Sequence, residues 1–186
     1  KKLGFKVWDK ELLHAIADEL GSDEKLLETV DERRRNPVED NLLGFMNNLH
    51  TNVNYLLSLN RVVKTVDKLG GSIIVGRGAC YICENNSSFH VRVVAPLKKR
   101  IAGYAERENI SREKARGIID QKDTERADFV KYSFNRDVGN PSDYDLVINS
   151  DTYSLEEMAD IVIKAYETKV GFSVSVEKET AKKAKT

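Results

Sequence analysis

Two short, nearly unbroken apolar runs do most to limit what this chain can fold into. One is Ser72-Ile73-Ile74-Val75, fenced by Gly70-Gly71 and Gly76-Arg77-Gly78; the other is Tyr144-Asp145-Leu146-Val147-Ile148-Asn149, which follows Asn140-Pro141. A strand with one wet face alternates apolar and polar residues, whereas a strand covered on both faces reads as a continuous apolar run. Long segments of helical period separate these runs, and strands alternating with helices build a parallel sheet flanked by helices. The fold class expected is therefore α/β. Phe5-Lys6-Val7-Trp8 and the segment from Phe89 to Ala95 read as two further strands.

The helices follow from caps and periodicity. Asp9 is a natural N-cap for an amphipathic helix from about Lys10 to Leu20, and Ser22 and Asp23 open a short helix through Val30. The stretch from Asp31 to Pro37, with Arg33, Arg34 and Arg35, reads as an exposed connection. Apolar stripes at Leu42, Leu43, Met46, Leu49, Leu56, Leu59, Val63 and Val66 mark helix from about Val38 to Lys68, and Gly44 and Thr51 suggest a break into two. Pro96 opens a basic helix to about Glu108, and Ser111 opens a charged one toward Asn135. Ser154-Leu155-Glu156-Glu157 is a capping-box start to a helix ending near Thr168, and the lysine-rich stretch from Glu177 to Thr186 reads as a frayed tail. Residues 1–170 are expected to form one domain and 171–186 a tail.

Composition narrows the function classes. The chain has 186 residues, enough for one ordinary core, and its 30 acidic and 30 basic residues cancel. A balanced charge gives no global field for wrapping nucleic acid, so an anion site has to be local. No apolar run reaches the roughly 20 residues of a membrane span, and no signal peptide opens the chain, so a cytoplasmic protein is expected. The two cysteines, Cys80 and Cys83, form a lone C-x-x-C; structural zinc wants four ligands, and the plain reading is two reduced, partly buried thiols on one helical turn.

In α/β folds ligands sit at the carboxyl ends of strands. The polar residues there are Asp9 after the first strand, Arg77 after the second, and Asn149-Ser150-Asp151 after the last. Arg77 stands between two glycines, where small neighbours let a ligand approach and a planar guanidinium can grip phosphate oxygens in pairs; alternatively it caps the next helix or pairs with Asp9. A second constellation, Asp120, Asp123, Arg126 and Lys131, is spaced so that the first three can share a helical face. By spacing alone an Asp and Arg three apart make an exposed ion pair worth a few tenths of a kcal/mol.

Several segments together resemble the cytidylate kinase-like family of P-loop kinases. They are Gly71 to Ala79, the strand and basic helix from Phe89 to Arg107, the run Asp120-x-x-Asp123-x-x-Arg126-x-x-Phe129-Val130-Lys131, and Tyr144 to Asn149 followed by Ser154-Leu155-Glu156-Glu157. The opening Leu3-Gly4-Phe5-x-x-Trp8-Asp9-Lys10-Glu11-Leu12 is also similar to that family, and order and spacing agree from about Leu3 to Tyr166. The resemblance implies a three-layer P-loop kinase fold, with a helical insertion for the nucleoside monophosphate and a helical lid. It implies transfer of the γ-phosphoryl group of ATP, with Mg²⁺, to a nucleoside monophosphate such as CMP or dCMP. Carried over residue by residue, it makes Arg77 a contact of the bound monophosphate and sets Asp9 and Asp120 at the same substrate. Asp123 is put near its base or ribose, Arg126 near the transferring phosphate, and Lys131 is an added cation one turn on. Such a transition state spreads charge over oxygens, which suits positioned cations.

The chain departs from that pattern at three places. Cytidylate kinases carry Asp after the Gly-Arg, Arg before the first lid Asp and Ser after the early Asp; here stand Gly78, Ile119 and Lys10. The phosphate grip is thus implied more firmly than cytosine specificity. No Gly-rich loop ending in Lys-Ser/Thr is present in the 186 residues, since Gly70-Gly71 precedes a strand rather than a helix. Lys1-Lys2-Leu3-Gly4 reads as the last turn of a helix, so upstream residues carrying the loop are expected, and catalysis requires them. The rival reading is a catalytically silent nucleotide-binding or regulatory module of the same fold.

Overall fold

The computed structural model describes residues 2–9, 12, 14–16, 42–83 and 88–183. The expected helix from Ser22 to Val30 and the connection from Asp31 to Pro37 lie outside them, as does most of the helix from Lys10 to Leu20. The chain divides into two compact units: Lys1–Cys83 with Gln121–Val138, and Glu84–Asp120 with Gly139–Thr186.

The first unit holds a parallel pair, β1 (Lys6–Trp8) and β2 (Ser72–Ile74), in the register Lys6 to Ser72, Val7 to Ile73 and Trp8 to Ile74. Hydrogen bonds from Lys6 N to Gly71 O and from Val75 N to Trp8 O, both 2.9 Å, extend the ladder at each end. Parallel strands need a crossover connection, and the helix α1 (Leu42–Leu69) precedes β2 directly. α1 runs 28 residues without the break expected at Gly44 and Thr51. An interior glycine costs a helix only about 1 kcal/mol, while Tyr55, Leu59, Val62, Val63 and Val66 bury one continuous stripe, and each such side chain contributes about 1.5–3 kcal/mol. Leu12 and Ile16, one helical turn apart, complete this core with Ala79 and Ile82. The apolar run in β2 predicts cover on both faces; instead Ile73 and Val75 remain 45% and 44% exposed.

The second unit holds β3 (Val91–Val94) and β4 (Leu146–Asn149), also parallel, pairing Val91 with Leu146 through Val94 with Asn149. Pro96 leads into α2 (Leu97–Glu108), and Asn109 closes it in the left-handed conformation. Helix α3 (Arg112–Phe134) opens with the Ser111 hydroxyl accepting from Lys114 N, and it belongs to the second unit up to Asp120 and to the first from Gln121. The capping box forms as read: Glu157 N donates to Ser154 Oγ, and the Glu157 carboxylate accepts from Ser154 N and Oγ at 2.8 Å. These bonds hold the Glu157 carboxyl below the usual glutamate range.

The helix so started, α4 (Leu155–Lys183), passes the expected end at Thr168 and takes in most of the stretch expected to fray. Gly171 is its one strong helix-weakening residue, no proline stops it, and the lysine-, glutamate- and alanine-rich end is made of helix formers. Lys169 ties α4 to the strands, with its ammonium 2.8 Å from both Asp145 oxygens and 2.6 Å from Ser88 O. Asp145 also accepts from His90 N at 2.7 Å. The architecture is mixed α/β with parallel strands, and the described strands form two pairs rather than a single sheet.

Candidate functional site

The chain leaves β2 through three consecutive left-handed residues, Gly76 (φ 74°), Arg77 (φ 50°) and Gly78 (φ 66°). Glycine takes this conformation freely, but an L side chain does so at a cost of about 1–2 kcal/mol. Arg77 is therefore held against its own preference. The turn projects its guanidinium back across the strand pair to Asp9, where Nη1 donates to the backbone oxygen at 3.2 Å and lies 3.4 Å from a carboxylate oxygen. The arginine side chain is 14% exposed and the aspartate 57%. A cation mostly withdrawn from water beside an open carboxylate can still present guanidinium edges to an incoming phosphate, at the carboxyl end of two parallel strands.

Gly78 has a second reason to be glycine. A Cβ there would stand 2.2 Å from Phe134 Cε2, so the phenyl ring fills the space a side chain would need. Phe134 packs its ring on Tyr81 at 5.3 Å and on Phe129 at 5.8 Å, and both phenylalanines pack against the core cluster. The C-terminal part of α3 is thereby docked beside the Arg77 turn.

At 100° per residue, Asp123, Arg126, Val130 and Phe134 fall on one stripe of α3. Val130 is buried, and Arg126 donates to Asp123 at 3.0 Å one and two turns further toward the N-terminus, with both side chains well exposed. Lys131 is exposed and stands to the side of this stripe. Asp120 pairs with Arg116 at 3.6 Å and belongs to the second unit. Of the six residues singled out in the sequence, Asp9 and Arg77 meet each other, Asp123 and Arg126 meet each other, and the last four of Asp9, Arg77, Asp123, Arg126 and Lys131 share the first unit with Asp9. Phe134 and Tyr81, which shape the turn, gave no local signal; only the glycine at 78 hinted that something approaches closely.

The corresponding end of the second strand pair is built otherwise. Ser150 donates from N (2.8 Å) and Oγ (3.2 Å) to Val94 O, Asp151 N donates to Asn149 Oδ1 at 3.0 Å, and Lys99 pairs with Asp151 at 3.1 Å. A shallow cleft of about 310 Å³ beside β4 is lined by Ile148, Asn149, Thr152, Tyr153 and Ile161 among others. Among the described residues no group of three or more His, Cys, Asp or Glu gathers as a metal site, and no helix is long and apolar enough to cross a membrane.

Comparison with known proteins bears on this arrangement. A model of the cytidylate kinase-like family matches residues 1–152. The cytidylate kinase of Staphylothermus marinus is 32% identical over 94 residues, 50% of this chain and 52% of that protein. A uronate isomerase of Corynebacterium glutamicum is 26% identical over 107 residues, covering 57% of this chain and 21% of its own length. The chain thus spans about half and about a fifth of these relatives. The crystal structure of an uncharacterized protein from Eubacterium ventriosum superposes with a TM-score of 0.63 at 21% identity, over 90% of this chain and 88% of that one, so the two share a fold.

Proposed function

The chain belongs to the cytidylate kinase-like family, and we propose that it is a nucleoside monophosphate kinase that transfers the γ-phosphoryl group of ATP to a monophosphate such as CMP or dCMP. The observation that carries this reading is Arg77. A costly left-handed arginine, fixed at the end of parallel strands with Asp9 as its counter-charge, is the kind of preorganised cation that phosphate binding needs.

In this reading the Arg77 guanidinium grips the acceptor phosphate, with Asp9 holding the guanidinium in place and facing the same substrate. Asp120 and Asp123 face the substrate from α3, Asp123 toward its base or ribose. An acceptor phosphate oxygen attacks the γ-phosphorus as the bond to the β–γ bridging oxygen breaks, and ADP leaves. Arg126 stabilises the charge on the transferring oxygens, and Lys131 adds a cation one turn further on. ATP supplies the phosphoryl group, and Mg²⁺ neutralises its oxygens. The described side chains suit the anionic partner: the guanidinium groups of Arg77 and Arg126 have the geometry for phosphate oxygens.

The reading also takes residues 1–170 as one cytoplasmic catalytic domain of the three-layer P-loop kinase fold, with α3 as the helical lid, a helical insertion at the monophosphate site, and a Gly-rich phosphate loop from the full-length protein. A lid excludes water from the phosphates while they react. The test is calorimetric titration of the full-length protein with CMP, dCMP, AMP, UMP and ATP beside a coupled ADP-release assay. One monophosphate binding with ATP-dependent turnover supports the kinase and names its acceptor. Nucleotide binding without turnover replaces it by the silent nucleotide-binding module, which the glycine at 78 and the isoleucine at 119 would suit.

A further inference from the structure

We propose that Cys80 and Cys83 form a reversible dithiol switch, closing to an intramolecular disulfide that reshapes the Arg77 turn. The consequence for nucleotide binding rests on the function proposed above; the thiol chemistry does not.

The geometry is set by the backbone. After the left-handed turn that Ala79 N closes on Gly76 O, Ala79–Tyr81 form a single 3-10 turn, and Tyr81 N bonds Gly78 O while Ile82 N and Cys83 N both bond Ala79 O, so residues 79–83 wind as one short helical turn. Two residues three apart on such a turn have Cα atoms about 5–6 Å from each other, inside the roughly 4.4–6.8 Å that a disulfide spans. Both side chains are thiols in this structure, and both are half-buried. The residues between and before them, Ala79 and Ile82, are the ones sunk in the core. Cys80 and Cys83 stand on nearly the same side of the turn, since side chains three apart on a 3-10 turn eclipse. Cys83 also packs against the core cluster.

The position gives the pair its leverage. Directly upstream lie the three left-handed residues Gly76, Arg77 and Gly78. Between the cysteines, Tyr81 packs on Phe134, the same ring that occupies the space over Gly78. A covalent bond across the turn therefore acts on the backbone that carries Arg77 and on the aromatic contact that docks α3. A helical C-x-x-C has to tighten to bring two sulfurs to bonding distance, and the nearest segment that can yield is the strained triplet.

The oxidant is a small disulfide such as oxidised glutathione. The Cys80 thiolate attacks one glutathione sulfur, forming a mixed disulfide and releasing one glutathione thiolate. The Cys83 thiolate then attacks the Cys80 sulfur, forming the Cys80–Cys83 bond and expelling the second glutathione thiolate. Two electrons pass from the protein dithiol to glutathione disulfide, and the two thiol protons end on the two glutathiones.

The full-length protein is equilibrated in glutathione buffers of graded oxidised-to-reduced ratio, then read by intact mass, maleimide labelling and hydrogen exchange of residues 76–83. The expected result is loss of two mass units and of both labelling sites together in a monomer, altered exchange across the Arg77 turn, and at least an about fivefold change in monophosphate affinity. Cys83→Ser is expected to stop at the mixed disulfide with glutathione, and Cys80→Ser with Cys83→Ser to hold one affinity at every ratio. Wild-type protein that keeps both thiols, or that accumulates only glutathione adducts, overturns the switch. A disulfide that leaves exchange over 76–83 unchanged overturns its coupling to Arg77. Altered exchange in a protein that binds no monophosphate in either state leaves the switch standing and removes the kinase reading instead.

Discussion

The two strand pairs are both short and each is parallel, yet their carboxyl ends differ. β2 ends in three left-handed residues that hold a guanidinium at Asp9, whereas β4 ends in neutral bonds from Ser150 to Val94 O and an exposed Lys99–Asp151 pair. The second end is an ordinary solution to closing a loop. The first is a conformation that has to be held by Phe134 and the core. A strand end in an α/β fold is thus only an opportunity for a ligand, and backbone strain with a mostly withdrawn charge is what sets the Arg77 end apart from the other.

The largest expected effect sharpens this contrast through function. Arg126→Ala is expected to lower turnover about 100- to 1,000-fold, the usual loss when one preorganised stabilising group is removed, while its exposed ion pair with Asp123 leaves stability within about 0.5 kcal/mol. Unchanged turnover in the coupled assay would take Arg126 out of the site.

The next effect tests the held turn itself. Gly78→Ala meets both a left-handed backbone and the Phe134 ring, and chemical denaturation should find it about 2–4 kcal/mol less stable. Phe134→Ala in the same chain should recover the steric part, so that the double variant is less destabilised than the sum of the two single ones. Strict additivity would mean that ring and glycine do not meet.

In the second unit the corresponding stress point is the opposite end of the strands. Asp145→Asn weakens the contact with Lys169 and the bond from His90 N, and an expected loss of about 1–3 kcal/mol should leave nucleotide affinity unchanged. A shift in affinity there would erase the distinction between the two ends.

The smallest effect is Ser154→Ala, about 1 kcal/mol of helix cap. Because its bonds to Glu157 depress that carboxyl in the folded state, the stabilisation from Glu157 is complete above the ordinary glutamate range and is lost as pH falls through the depressed value. Stability curves of Glu157→Gln and wild type should therefore converge in acid, and parallel curves would deny the coupling.

Much of this was legible in the residues. Gly76 and Gly78 around an arginine marked the turn, Pro96 and Ser154-x-x-Glu157 marked helix starts, and the apolar runs marked the parallel strands. Local patterns could not report α1 running through Gly44 and Thr51, because the decisive burial at Tyr55, Leu59 and Val66 is tertiary. Nor could they report that Phe134 lies over Gly78, a contact between residues 56 positions apart, or that Arg77 itself adopts the left-handed conformation. The family resemblance was readable because it rests on order and spacing across the chain.

The handedness of Arg77 has a consequence for the stability of the chain. Asparagine or glycine would sit in that backbone at lower energy, so an arginine at 77 stores conformational strain that its contacts with Asp9 work against. The stability change on Arg77→Gly, measured in this chain, is then the balance between the strain released and the contacts with Asp9 that are lost.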